Sequence, residues 1–224
     1  MIFPIGDDQV KGGPYPIFSY AFIAINLLIF LYQINLPPYE MQMFVDRYDA
    51  EPDIIRSGNG LLNLITCMFF HGDWGHIIFN MLYLWVFADN IEQTIGNFTF
   101  VLYYLSGGVI SALIHLYVES DSSLGLIGAS GAISAVMGTY FILFPSSRIR
   151  TLFFVIPFKV PAVIFLGLWI YMQLNSGLDA LNVSEGPGSN VAWWAHIGGF
   201  IYGVLVGIYI RLTGRLARVS LVQK

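Results

Sequence analysis

"GLIGASGAISAVMG", residues 125–138, sets a serine among glycines and alanines at the head of an apolar run. Ser130, Ser134 and Gly138 recur every four residues, so in a helix they share one face. Ala195, Gly199, Gly203 and Gly207 repeat the same spacing near the other end of the chain. In lipid, where helices associate by packing, two faces of small residues let backbones approach closely. Ser130 is then either a packing residue or a nucleophile, and the rest of the chain decides which.

The 224 residues are 56% hydrophobic and 11% charged, against about 25% charged residues in an average soluble domain. Mean hydropathy is +0.68, so the solvent for which this chain is built is a bilayer. A net charge of −4 excludes a nucleic-acid partner, which wants a clustered basic face. The one cysteine, Cys67, excludes an internal disulfide framework. No block remains for a soluble domain, so residues 1–224 read as a single membrane domain.

A crossing helix needs about 20 apolar residues, because in hydrocarbon only internal hydrogen bonds satisfy the backbone. Runs at 17–35, 74–90, 96–118, 126–144, 160–178 and 191–211 meet or approach that length, which predicts an all-α polytopic protein of six transmembrane helices. Seven of the ten basic residues (Arg148, Arg150, Lys159, Arg211, Arg215, Arg218 and Lys224) fall on one side of this arrangement. The loops "ESDSS" and "LDALNVSEGPGSN" on the other side hold acids and no bases. The basic side is expected to be the cytoplasm of a cell that keeps this protein in its plasma membrane. Both termini, 1–16 and 212–224, then lie inside, and the first loop, 36–73, lies outside. The segment before the first span is net acidic and no A-x-A-like site follows it, so that span reads as an anchor. Within 36–73, Met41, Phe44 and Tyr48 recur at helical spacing. Two readings of that loop stand: a helix in the interface plane or an irregular cover.

Ionisable and polar side chains inside a membrane are costly and mark function by default. His76 and Asn80 open the second span, Ser130 the fourth and His196 the sixth. All three spans descend from the same surface, so these residues share a depth of roughly 5–10 Å below it. Packing of the two small-residue faces would bring a serine hydroxyl and an imidazole within the roughly 2.6–3.2 Å that nucleophile activation requires.

Taken together, "GASG" at 128–131, "AHIGGFIYG" at 195–203, "HGDWGHIIFN" at 71–80 and "EQTIG" at 92–96 make the sequence resemble the rhomboid family of intramembrane serine proteases over essentially its whole length. The resemblance implies Ser130 as nucleophile, His196 as general base, and Asn80 and His76 as contributors to the oxyanion site. It also implies a single-pass membrane protein as substrate, cut near the outer boundary of the bilayer, and it sets no oligomeric state. The Ser130 N–H at a helix N-terminus is a further oxyanion donor, and Gly128 and Gly131 would let a substrate backbone come near.

The first loop lacks the Trp-Arg dipeptide of some members. Ser134 stands where some bacterial members carry a tyrosine that stacks on the histidine. The group that orients His196 is therefore open, with Tyr202, Tyr140 and Asp179 as candidates. "GASGA" does not fit the G-x-S-x-G elbow of α/β-hydrolases. Two other classes compete: a silent scaffold for transmembrane segments, and a metal site built from His71, His76, His196 and Asp73. The chain keeps both serine and histidine, which disfavours the first; it lacks H-E-x-x-H, which disfavours the second. No cofactor or metal is expected.

Overall fold

The computed structural model describes residues 2–119, 125–154, 156–182, 191–214 and 220–222. Most of both acid-bearing loops, and Arg215, Arg218 and Lys224, lie outside the described residues. The elements run β1 (Ile2–Gly6), β2 (Gln9–Lys11), α1 (Ile17–Ile34), α2 (Pro38–Tyr48), α3 (Pro52–Arg56), α4 (Asn63–Thr66), α5 (Trp74–Ile95), α6 (Asn97–Val118), α7 (Ser130–Leu143), β3 (Arg148–Phe153), β4 (Ile156–Pro161), α8 (Ala162–Asn182), α9 (Trp193–Leu212) and β5 (Ser220–Val222).

Helices dominate, and α1, α6 and α9 are long and apolar enough to cross a membrane. The other three expected spans fall short for different reasons. Helix α7 has 14 residues, or about 21 Å at 1.5 Å per residue, less than the roughly 30 Å of a hydrocarbon core. Helix α5 carries Asn80, Asp89, Asn90 and Glu92 among its buried residues. Helix α8 is diluted by Gln173, Asn175, Ser176 and Asp179.

The strictly all-α expectation is corrected by two small sheets. β1, β3 and β4 form an antiparallel sheet in the order β1-β3-β4, and β2 pairs with β5. The reason lies in the α7–α8 connection, "PSSRIRTLFFVIPFKVP", where Pro145, Pro157 and Pro161 forbid a continuous helix. Its backbone groups must still be satisfied, and β-branched and aromatic residues suit a hairpin. The N-terminal segment supplies the third strand.

Elsewhere the local chemistry is readable. Asp73 caps α5 by accepting the His76 N–H at 2.9 Å, and Gly96, with φ +87°, turns the chain from α5 into α6. Helix α1 follows Pro16 without a cap of its own. Its free N–H groups at Phe18 and Ser19 instead donate to Glu92 at 2.9 and 2.7 Å, and the Ser19 hydroxyl adds a third bond at 2.7 Å. Glu92 is wholly buried, so the glutamate of "EQTIG" clamps the start of one helix to the end of another. In the first loop the helical alternative is the one observed. Met41, Phe44 and Tyr48 form the half-buried face of α2, with Phe44 edge-on to Tyr32 and Phe70 and Tyr48 stacked on Phe70.

Helix α7 is the central post, buried along almost its whole length. Large apolar side chains such as Leu28, Leu102, Leu168 and Leu205 lie exposed on the outer faces of the other helices.

Near the strands, Asp7 is buried against α5 and α7. Its carboxylate accepts from Tyr140 Oη at 2.5 Å, Asn90 Nδ2 at 2.6 Å and Gln9 Nε2 at 2.8 Å. Burial pushes its pKa from the ordinary 3.8 up to about 7; the Tyr140, Gln9 and Asn90 bonds oppose that rise and the neighbouring Asp89 adds to it. A carboxyl whose folded pKa is raised stabilises the fold fully below its unfolded pKa. That contribution is lost as pH rises through the folded value. The unfolding midpoint of the wild type, measured against Asp7→Asn, is therefore expected to fall between pH 3.8 and about 7 and to keep a constant offset above. Parallel pH curves for the two proteins would refute the raised carboxyl.

Candidate active site

Ser130 is the first residue of α7, and no side chain caps that helix, so the N–H groups of its first turn stay available. The segment before α7 is tied to the first loop. Leu126 and Ala50 exchange two backbone bonds of 3.0 Å, and Gly128 N donates to the Cys67 carbonyl at 2.9 Å. Gly128 has φ +119°, and a Cβ there would lie 2.6 Å from His76 Nε2. Both backbone and space therefore demand glycine.

His196 sits in the first turn of α9. What brings it to Ser130 is the meeting of α7 and α9. A Cβ built on Gly199 would collide with the carbonyl oxygen of Gly131, one on Gly203 with that of Ala135, and one on Gly138 with that of Phe200. Tyr103 of α6 ties in from the side, bonded to the Ala135 carbonyl at 2.5 Å and to Thr139 at 2.6 Å, and Thr139 donates to the Gly203 carbonyl at 2.8 Å. At the head of this seam Ser130 Oγ lies 2.8 Å from His196 Nε2.

The other ring nitrogen, Nδ1, lies 2.7 Å from Oε1 of Gln173, a buried residue of α8. Trp169 tilts beside the imidazole at 5.9 Å between centroids, and Trp193 meets it edge-on at 6.2 Å. With the proton on Nδ1 donated to Gln173, the Nε2 lone pair faces the serine hydroxyl.

Asn80, nearly two turns into α5, is buried, and its Nδ2 has no hydrogen-bond partner. It would lie 3.7 Å from a Cβ on Gly128, so it faces the loop that carries the serine. His76 Nδ1 accepts from Gly72 N at 3.4 Å, which leaves Nε2–H as the donor on the Gly128 side. A buried donor without a partner is rare enough to call for an explanation, and an acceptor that exists only during reaction is one. His71 packs edge-on to His76 at 4.9 Å. Burial and that neighbour push its pKa down to about 3, so it is neutral near pH 7. Among the described residues no three His, Cys, Asp or Glu side chains converge to hold a metal ion.

Ser130, His196, Asn80, His76 and Gly128 thus meet at one end of the helices, opposite the strands and Asp7. Gly131 faces Ser111 of α6, whose hydroxyl fills the place of a Cβ. Ser134 bonds back to the Ser130 carbonyl at 2.6 Å. The candidate orienting groups are engaged elsewhere: Tyr202 with Ser106, Tyr140 with Asp7 and Ser147, and Asp179 exposed on α8. Gln173 was missed. Its signal was a polar side chain inside the apolar run 160–178, the mark that singled out Asn80.

A family model described as "Rhomboid domain" matches residues 58–213. Over 197 residues the chain is 31% identical to "Rhomboid protein 1, mitochondrial" of Saccharomyces cerevisiae, covering 85% of this chain and 52% of that protein. It is also 31% identical over 189 residues to "RHOMBOID-like protein 12, mitochondrial" of Arabidopsis thaliana, covering 77% and 53%. "Rhomboid protease GluP" of Bacillus subtilis is 31% identical over 134 residues, covering 59% and 26%. The chain spans about half the length of the first two relatives. The plasma-membrane assignment, with both termini cytoplasmic, is corrected by these names, two of which are mitochondrial. The physical reason is that basic residues report the two sides of a bilayer without identifying the bilayer.

The glycine seam yields a test. Gly203→Ala would force backbone against backbone and is expected to destabilise the fold by about 3 kcal/mol. Gly167→Ala, where the nearest atom is a Phe141 ring carbon at 3.9 Å, should be neutral or better. Thermal unfolding of the two variants in detergent checks the contrast; equal midpoints would count against the seam.

Proposed function

Because the chain belongs to the rhomboid family, we propose that it is an intramembrane serine endopeptidase working through a Ser130–His196 dyad. The observation that carries this reading is the 2.8 Å separation of Ser130 Oγ and His196 Nε2, a distance suited to proton transfer. Neutral His196 takes the hydroxyl proton as Oγ attacks the peptide carbonyl, then gives it to the departing amine. The acyl-serine left behind is hydrolysed by a water that His196 deprotonates in turn. Negative charge on the tetrahedral oxygen is met by the Ser130 N–H at the positive end of α7, by the unpartnered Asn80 amide and by His76 Nε2–H.

In this reading α1 and α5 to α9 form a six-helix membrane bundle. Helix α7 need not span the full thickness of the bilayer, because protein surrounds it and lipid does not reach its backbone. The dyad then lies at the outer end of the bundle relative to the basic residues. The substrate is a single-pass membrane protein whose segment there unwinds, since an intact helix hides its carbonyls. The mitochondrial relatives suggest a mitochondrial membrane as its home.

Reconstitution with a single-pass model substrate tests this. Wild type should cleave, and Ser130→Ala and His196→Ala should not. Asn80→Ala should lose about 10²–10³ in turnover, the usual loss for one oxyanion donor. A fluorophosphonate should label wild type and leave Ser130→Ala unlabelled. Cleavage by folded Ser130→Ala would overturn the proposal.

A further inference from the structure

The two nitrogens of His196 do different work, and only one is accounted for by the dyad. A neutral imidazole carries its proton on one nitrogen at a time, and a base that must accept from Ser130 through Nε2 needs that proton on Nδ1. Serine hydrolases commonly enforce this with a buried carboxylate on Nδ1. Among the described residues the titratable groups whose fields reach this ring are His76 and His115, both imidazoles. Among the described residues the group that meets Nδ1 is the Gln173 amide and not an acid.

We propose that Gln173 is the positioning residue of this dyad, an uncharged stand-in for the third member of a triad. The inference rests on the Ser–His reading above. Its Oε1, 2.7 Å from Nδ1, accepts the ring N–H and so holds the lone pair of Nε2 toward Ser130. Two features of α8 make that contact possible. Gln173 is 8% exposed, so water competes poorly for the amide. One turn further on, a Cβ at Gly177 would lie 3.1 Å from Ile197 and 3.4 Å from Trp193, so its absence lets α8 close on the start of α9.

An amide also suits the surroundings. A lone carboxylate buried among apolar groups is costly unless it is fully paired, whereas a neutral acceptor fixes the tautomer without placing a charge in the membrane. The consequence is a base whose protonated form receives less help than in a carboxylate triad, so an acid at this position should change the pH profile and not just the rate.

The experiment compares wild type, Ser130→Ala, Gln173→Leu and Gln173→Glu in the reconstituted cleavage assay, each with its unfolding midpoint and its kcat/KM across pH. Leucine removes the acceptor at similar size. It should lower kcat about 10- to 100-fold, with KM and unfolding midpoint close to wild type. Glutamate restores an acceptor and adds charge. It should recover activity over leucine and move the acid limb of the profile upward by about one pH unit or more.

Gln173→Leu turning over like wild type would overturn the assignment. So would both variants losing rate in step with stability while keeping the wild-type pH limbs, because that pattern belongs to packing alone. If the glutamate variant fails to fold, Gln173→Ala with added acetamide replaces it. Rescue by the small amide is expected, and its absence overturns the inference. Should Ser130→Ala still cleave, the protease reading itself fails, whatever Gln173 does.

Discussion

The backbone-to-backbone contact of α7 and α9 is the constraint on which the other features depend. Gly131, Ala135 and Phe200 present carbonyls where Gly199, Gly203 and Gly138 lack side chains. Attraction in lipid comes from packing and from the few polar groups that find partners across the contact. Here the Tyr103 and Thr139 hydroxyls reach carbonyls of α7 and α9 and lock the seam in register. A shift of one residue along α9 would turn His196 by about 100° around its helix and separate it from Ser130. The chemistry is thus set by steric exclusion along the whole seam as much as by the residues at its head.

A buried polar network at the opposite end complements this. Glu92 supplies the cap that α1 lacks, and Asn90 and Tyr140 gather Asp7 and with it the N-terminal strands. Among buried apolar side chains such networks add direction to packing that is otherwise slippery. The exterior carries the large apolar residues, which leaves lipid to solvate the surface that water would solvate in a soluble domain.

Much of this was legible from residue order. Each expected apolar run carries a helix, because hydropathy is a local property, but only α1, α6 and α9 are long and apolar enough to cross a membrane. The i, i+4 faces at Ser130 and Ala195 point to a close approach for the same reason: periodicity fixes which side chains share a face. The strands were not legible, because β1 and β3 are separated by more than a hundred residues of mostly helical chain and neither has a strong alternating pattern. Glu92 was recognised only by its motif, since its role as a cap to α1 depends on a helix end 74 residues earlier in the chain.

The sequence by itself determined that this is a membrane chain, where its long apolar runs lie and which serine and histidine are candidates, because composition and spacing are one-dimensional quantities. Only the tertiary structure decided what stands behind the histidine. Gln173 looks like one polar residue among several in its run, and nothing local separates it from Asn175 beside it. The difference is the direction each takes from α8. Asn175 bonds back to its own helix at the Tyr171 carbonyl, while Gln173 meets a ring 23 residues away. That direction is settled by how α8 packs on α9, a relation between helices that no single stretch of sequence encodes.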